Sequence, residues 1–458
     1  CLSSHGRNMF FYWWPAAIHL FLFVRKIGVK KQVEEEKMPT NANAQKNKRP
    51  ERSYQEVVQK YPQISRFVIL KTDVQRRTVV YTKRALEAWD SALHQGVFQT
   101  VFGDINADDV QTPSSLLLRD GSSILTGPVH GAENPYTVDC IDGRLVLTDH
   151  HAIVDEVEYW PKPAFEGKRT SKGTPMHRVV SARPQRLDVD PHSYCQFCNK
   201  GLGCQYCNVG PSYIKEHRDM GRRARLDPQD VYETVHEALK EPGRYTYIKL
   251  TAGSILSGEN LFDDELAMYI EVLKAIGANF QTRRFPSQVI SSSFSEKQLE
   301  RLYNETGILN YTADIEVLNP RLFQWICPGK EKALGYAQWK ERILHAVEIF
   351  GKGHVSSGIV GGVELAQPNG FQDEEEALKY SLEEAEDFAA HGVPVVMCVW
   401  VPYPGSPFEH QKSPSLEYFV RLAAGLDGLR RQYGLSIDMD DYRRCGNHPD
   451  SDLSRLAI

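Results

Sequence analysis

Four cysteines fall within thirteen residues, in the run Cys195-Gln-Phe-Cys198-Asn-Lys-Gly-Leu-Gly-Cys204-Gln-Tyr-Cys207-Asn. The other five (Cys1, Cys140, Cys327, Cys398, Cys445) are scattered. Thiolates this concentrated in an otherwise Cys-poor chain suit a soft metal centre, either zinc or an iron–sulfur cluster. Two Cys-x2-Cys knuckles would supply four thiolates to a tetrahedral zinc ion. Structural zinc modules, however, usually place a dozen or more residues between knuckles, and here five intervene. Iron–sulfur ligation uses compact loops, and a cluster with one iron free of protein needs only three of the four cysteines. The cluster is the favoured reading. An odd total of nine cysteines argues against a disulfide framework and for a reducing compartment, taken here as cytoplasmic.

The elements that must position this run alternate regularly. A strand over 186–189 leads straight into it. Helices are expected over 228–239, 264–276, 296–304, 336–350, 374–390 and 416–433, and strands over 245–250, 288–292, 311–317, 355–360 and 395–401. Strands separated by helices of ten to twenty residues make parallel βα units with right-handed connections. Six units predict an α/β fold, either a partial barrel or an open sheet, and in both ligands gather at the carboxyl ends of the strands. The cysteine run follows the first strand directly, which puts it on that rim.

Upstream, residues 53–183 read as a smaller α+β region of unknown role. It has helices over 53–59 and 83–94 and strands over 66–71 and 78–82. Two further runs carry Asp-Gly between apolar stretches, at Asp120-Gly121 and Asp142-Gly143, a strong hairpin signal. His150-His151 follows the second hairpin, and adjacent strand residues point to opposite faces, so the pair is poorly placed to chelate one metal. Residues 1–52 are a leader. Its apolar run over 9–24 is too short to span a bilayer, and residues 1–37 are read as preceding a start at Met38 rather than as an anchor or cleaved signal. Residues 435–458 form a C-terminal tail. A formal net charge of −5 gives no support to a nucleic-acid partner.

Residues 184–434 resemble the radical S-adenosylmethionine (SAM) enzymes. The resemblance is carried by a cysteine loop after strand one, its Cys-x-Tyr-Cys-Asn ending and six βα units. The family's commonest signature is Cys-x3-Cys-x2-Cys. This chain has Cys198-x5-Cys204-x2-Cys207, similar to the longer spacing of the iron-only hydrogenase cofactor maturase, with biotin synthase-like features elsewhere. The resemblance implies a partial (β/α)6 barrel and a [4Fe–4S] cluster held by Cys198, Cys204 and Cys207, with Tyr206 beside it. It leaves Cys195 as a structural thiol, a catalytic thiol or an alternative ligand. It further implies cofactor contacts at Thr251, Gly253 and Ser254 after strand two, where the usual acidic member is missing. Glu316 at the end of strand four would bind the ribose or methionine moiety. Ser357, Ile359, Gly361 and Glu364 match a Gly-x-Ile-x-Gly-x-x-Glu adenine pattern with Ser for the first Gly. Pro402 opens a Pro-x-Pro-Gly-x-Pro-like ending after strand six.

If so, the cofactor carries the difficult chemistry: reductive cleavage of SAM yields a 5′-deoxyadenosyl radical that takes hydrogen from a substrate. The branch resemblance points to a small-molecule cofactor or natural-product precursor, modified by methylation, rearrangement or bond formation. An electron donor such as flavodoxin or ferredoxin is implied, and neither a nucleic acid nor a membrane is favoured. Two rivals stand beside this reading: a non-catalytic zinc or iron–sulfur module, and a tRNA-modifying member using the basic stretch 162–183.

Overall fold

The computed structural model describes residues 51–96, 113, 115–126, 134–183, 185–210, 225–435 and 448–453. Most of the leader, including the run over 9–24, lies outside the described residues, as does Cys445.

The amino-terminal part opens with helices α1 (Tyr54–Lys60) and α2 (Arg66–Arg77), strand β1 (Val79–Tyr81) and a short α3 (Lys83–Glu87). Ser53 starts α1 with a capping box, its side chain bonding to Glu56 and Glu56 reaching back. The strand expected over 66–71 is instead the first half of α2. Ser65 caps it by accepting from the Phe67 N–H, and Val68 to Val74 are buried all round, so the apolar run reflects burial rather than a β face. The hairpins form as expected: β2 (Ser115–Leu118) with β3 (Ser123–Leu125), and β4 (Tyr136–Ile141) with β5 (Arg144–Asp149). Strand β6 (Ala152–Tyr159) completes a six-stranded sheet of order β1-β4-β5-β6-β2-β3. His150 and His151 form the two-residue turn from β5 to β6, both with positive φ (45° and 69°), and not a strand end.

The second sheet carries the cysteine run. Its strands are β7 (Ser181–Ala182), β8 (Arg186–Val189), β9 (Tyr247–Thr251), β10 (Ser287–Ile290), β11 (Asn310–Thr312), β12 (Val355–Gly361) and β13 (Val395–Val399), neighbours in chain order. β8 to β13 pair in parallel and β7 is antiparallel. No pairing joins β13 to β7 or β8 among the described residues, so the six units make a partial barrel. The connecting helices are α4 (Gln196–Asn199), α5 (Pro228–Ala238), α6 (Asp263–Gly277), α7 (Glu296–Glu305), α8 (Pro320–Ile326), α9 (Pro328–Ala333), α10 (Gly335–Phe350), α11 (Glu374–Ala390) and α12 (Leu416–Gln432), and α13 (Pro449–Leu453) follows. None of the described helices is long and apolar enough to cross a membrane.

Stepping always to the next strand with right-handed crossovers puts every helix on one face of the sheet. The side chains follow that asymmetry. Leu187, Val189, Ile248, Leu250, Val289, Tyr311, Val355, Ile359, Val395 and Met397 join the helices in one apolar core. The opposite face is polar: Asp188 registers with Lys249 and Lys249 with Gln288, and the Gln288 amide donates to Thr312 Oγ1 (2.7 Å). Thr312 and Ser356 hydroxyls lie 2.8 Å apart. Parallel sheets are normally apolar on both faces.

Candidate functional site

A short segment after β8 leads to the cysteine run, which opens with the one-turn helix α4 and has Cys195 at that helix's amino end. Three neighbouring segments hold it. The Gln196 N–H donates to Ser254 O (2.8 Å), the Gln205 N–H to Ile326 O (2.8 Å), and the Phe408 N–H to Gln205 O (3.0 Å). Gly201 takes a positive φ of 68° at the bend between the knuckles. The Cys195 thiol is hydrogen-bonded to Cys198, and that contact with burial drives it far above the usual thiol range. Cys198 is pulled down by its bond with Cys195, but contact with Cys207 and burial prevail and push it up to about 12. Burial and contact with Cys204 raise Cys327 well above the ordinary thiol value. The site therefore brings five thiols near one another: Cys195, Cys198, Cys204, Cys207 and Cys327.

This donor set fits a cluster. The ligands are soft, they sit on one loop, and the backbone leaves room at the sulfurs: a Cβ on Gly203 would stand 2.9 Å from Cys198 Sγ. The Val209 N–H donates to Cys207 Sγ (3.4 Å), the kind of bond that stabilises a ligating thiolate. Among the described residues, no group of three or more His, Cys, Asp or Glu side chains is gathered around a single-ion position. A [4Fe–4S] cluster takes each thiolate on a different iron, so it needs sulfurs spaced around a body.

The other expected site residues distribute along the rim. Thr251 ends β9, and Gly253 packs so tightly that a Cβ would lie 2.4 Å from Cys195 Cβ. Glu316 follows β11 with a positive φ of 68°, a strained setting for a side-chain-bearing residue. Its backbone is stitched to β12, donating to Gly358 O (3.0 Å) and accepting from the Val360 N–H (2.9 Å), which brings Glu316 beside Ile359. The Ser357 hydroxyl accepts from the Ile315 N–H and donates to Ala313 O, both at 3.0 Å, so that side chain ties two strand ends together. Gly361 O accepts from the Trp400 N–H (3.1 Å), one residue before the Val401-Pro402 ending. Glu364 is buried, bonded to the Tyr418 hydroxyl and the Gly362 N–H. Tyr206 lies close to Cys204, Glu316 and Cys327, and burial holds its hydroxyl well above the ordinary range.

Several participants were not among the expected contacts. Lys330 Nζ donates to Glu316 Oε1 (2.6 Å) and Asp314 O (2.8 Å) and lies 4.6 Å from the Trp339 ring centre. Burial alone would lower its ammonium, but Glu316, Cys204 and Cys327 hold it above its usual value. Asp314 accepts from the Gly358 N–H (2.8 Å), and burial together with Glu316 pushes its carboxyl up to about 6. On the inner face Asp188 meets Arg186 (2.7 Å) and Lys249 (3.5 Å). Burial opposes its ionisation, yet those cations hold its carboxyl well below the ordinary range. Lys330 opens the charged run Lys330-Glu331-Lys332 right after Cys327-Pro-Gly, so its residue type alone does not set it apart. The basic run over 162–183 is largely engaged locally: Lys168 pairs with Glu237 (2.5 Å), Lys172 with Asp227 (2.6 Å) and Arg183 with Asp188 (3.2 Å).

No family model matches the chain. It is similar to the bacteriochlorophyllide c C-7(1)-hydroxylase of Chlorobaculum limnaeum, 22% identical over 371 residues covering 73% of this chain and 88% of that protein. It is also similar to the solved structure of a radical SAM methyltransferase from Sphaerobacter thermophilus (TM-score 0.38, 15% identity, 74% of this chain and 81% of that chain). A third is TsrM from Kitasatospora setae, a radical SAM methyltransferase solved with cobalamin and a [4Fe–4S] cluster (TM-score 0.32, 12% identity, 59% of this chain and 48% of that chain).

Proposed function

We propose that this protein is a radical SAM enzyme acting on a small molecule. The carrying observation is the four-cysteine loop after the first of six parallel strands, with the Glu316–Lys330 pair beside Cys204. Cys198, Cys204 and Cys207 would hold a [4Fe–4S] cluster, and when bound it would supply the electron that cleaves SAM. Around it the chain's own groups have separate tasks. The Glu316 carboxylate accepts from ligand hydroxyls or an ammonium, and its bond from Lys330 fixes its position. Thr251, Gly253 and Ser254 offer backbone carbonyls and hydroxyls to the methionine end. Ile359 and Gly361 give a flat base a close backbone approach. The polar inner face with Asp188, Lys249 and Gln288 orients the substrate.

The hydroxylase relative extends the substrate reading to the tetrapyrrole class, with oxidation at a peripheral carbon as the reaction. The cytoplasmic setting and a flavodoxin- or ferredoxin-type electron donor belong to the same proposal. So does a pocket-shaping role for residues 53–183. Anaerobic reconstitution with iron and sulfide, then SAM and a reductant, tests it: 5′-deoxyadenosine is expected. Absence of both that product and S-adenosylhomocysteine sinks the enzyme reading, and a Cys204→Ala protein with full cluster content refutes the ligand assignment.

A further inference from the structure

Glu265 sits in the first turn of α6, wholly buried and outside the contacts assigned above. Its carboxylate accepts from two strand-end loops. Oε2 accepts from the Ile255 N–H (2.9 Å) and lies 2.8 Å from the Ser292 hydroxyl, and Oε1 accepts from the Ser292 N–H (2.8 Å). The Ser292 and Ser254 hydroxyls are themselves 2.8 Å apart. A buried carboxylate is costly unless its lone pairs are satisfied. Here every donor comes from the backbone or side chains that follow β9 and β10.

The bonds continue to the cysteines. Ile255 lies between Ser254, whose carbonyl accepts from the Gln196 N–H (2.8 Å), and Leu256, whose N–H donates to Gln196 Oε1 (2.7 Å). Gln196 follows Cys195 and opens the turn that carries Cys198. Glu265 thus braces the loop 251–256 from the helix side, while Gln196 grips it from the cysteine side. Burial pushes the Glu265 carboxyl up to about 7, against the bonds from Ser292 and Ile255.

We propose that Glu265 is a positioning residue for the cofactor rim, holding 251–256 in the shape that receives the methionine end of SAM and seats the Cys195–Cys198 turn. This rests on the radical SAM reading. An amide at this position would turn an N–H2 toward donors and lose at least one charge-assisted bond, so SAM affinity should weaken about tenfold or more in Glu265→Gln.

The test compares full-length wild type and Glu265→Gln, reconstituted anaerobically, by equilibrium SAM binding and iron content. Amide hydrogen exchange is followed in the same samples and in cluster-free protein. The expected result is weaker SAM binding with loss of protection confined to 195–199, 251–256 and 291–293, the amides of β12 and β13 staying protected. Ser292→Ala, a milder change, should move the same segments the same way should Glu265→Gln not fold. Unchanged SAM affinity in a folded variant overturns the proposal, and so does protection lost evenly across the barrel. A wild-type chain that binds no SAM overturns the underlying reading, and the proposed ligand falls with it.

Discussion

At Gly203 the absence of a side chain decides whether the Cys198 sulfur has its place. A Cβ there would stand 2.9 Å from Sγ, closer than nonbonded carbon and sulfur tolerate, whereas Gly201 is needed for its positive φ and has open space around it. Gly203→Ala should therefore lower the iron bound per chain after reconstitution while leaving the melting temperature of cluster-free protein nearly unchanged. Lys330→Met tests the other side of the site. It strands the Glu316 carboxylate, and breaking a largely buried pair costs about 3–5 kcal/mol. Denaturant unfolding should show a loss of that order, and SAM binding should fall with it. The cysteine loop was legible in the sequence because its residue types and spacing are themselves the signal. Lys330 was not, because its role comes from a bond to Glu316 across two intervening helix starts, which no local spacing encodes.

At the scale of elements, the six βα units were readable because strands and helices alternate along the chain and several helices carry a capping signal, such as Asp227 before α5 or Ser415 before α12. The failure at 66–71 has a physical cause. Arg-Phe-Val-Ile-Leu-Lys is a short apolar run, and such runs are ambiguous when the segment is buried on every side. The link from β12 to α12 was equally hidden. Glu364, read from its motif as an adenine-side residue, bonds to Tyr418 in α12 and to the Gly362 N–H, and burial pushes its carboxyl up to about 7. Its folded-state pKa is therefore above its unfolded value, so the native state holds a proton that the unfolded chain releases between about pH 4.5 and 7. That stabilisation is complete below pH 4.5 and is lost as pH rises through 7. Glu364→Gln should escape the loss. The stability of wild type minus variant should fall by on the order of 2–3 kcal/mol from pH 5 to pH 8, read by denaturant unfolding at each pH. A flat difference would mean the carboxyl is already ionised when folded.

At the scale of the molecule, the two sheets are joined by polar contacts in the sequence region read as a tail. The apolar core of the amino-terminal sheet takes in Leu416 and Val420 of α12, so the last barrel helix serves both cores. Segment 448–453 then covers the outer edge of β13. Asp450 accepts from the Met397 N–H (3.2 Å), the His448 ring nitrogen lies 3.1 Å from Met397 O, and Arg430 donates to Val395 O (3.2 Å). Side chains here do the work of a neighbouring strand and blunt an edge that would otherwise invite pairing. Asp-Ser-Asp reads as solvated by composition, yet Asp450, Ser451 and Asp452 are at most 1% exposed because Arg430 and Lys71 receive the two acids. Lys71, in α2, pairs with Asp452 at 2.8 Å with both side chains essentially inaccessible, which fastens the amino-terminal part to the barrel's open edge. Removing one partner leaves a buried charge, so Lys71→Met or Asp452→Leu alone should each cost about 3–5 kcal/mol. The double variant removes both charges and should recover most of that, giving a coupling of about 2 kcal/mol or more in a double-mutant cycle. Near-neutral single variants would mean that the segment does not dock in solution, and the edge of β13 would then need another cover.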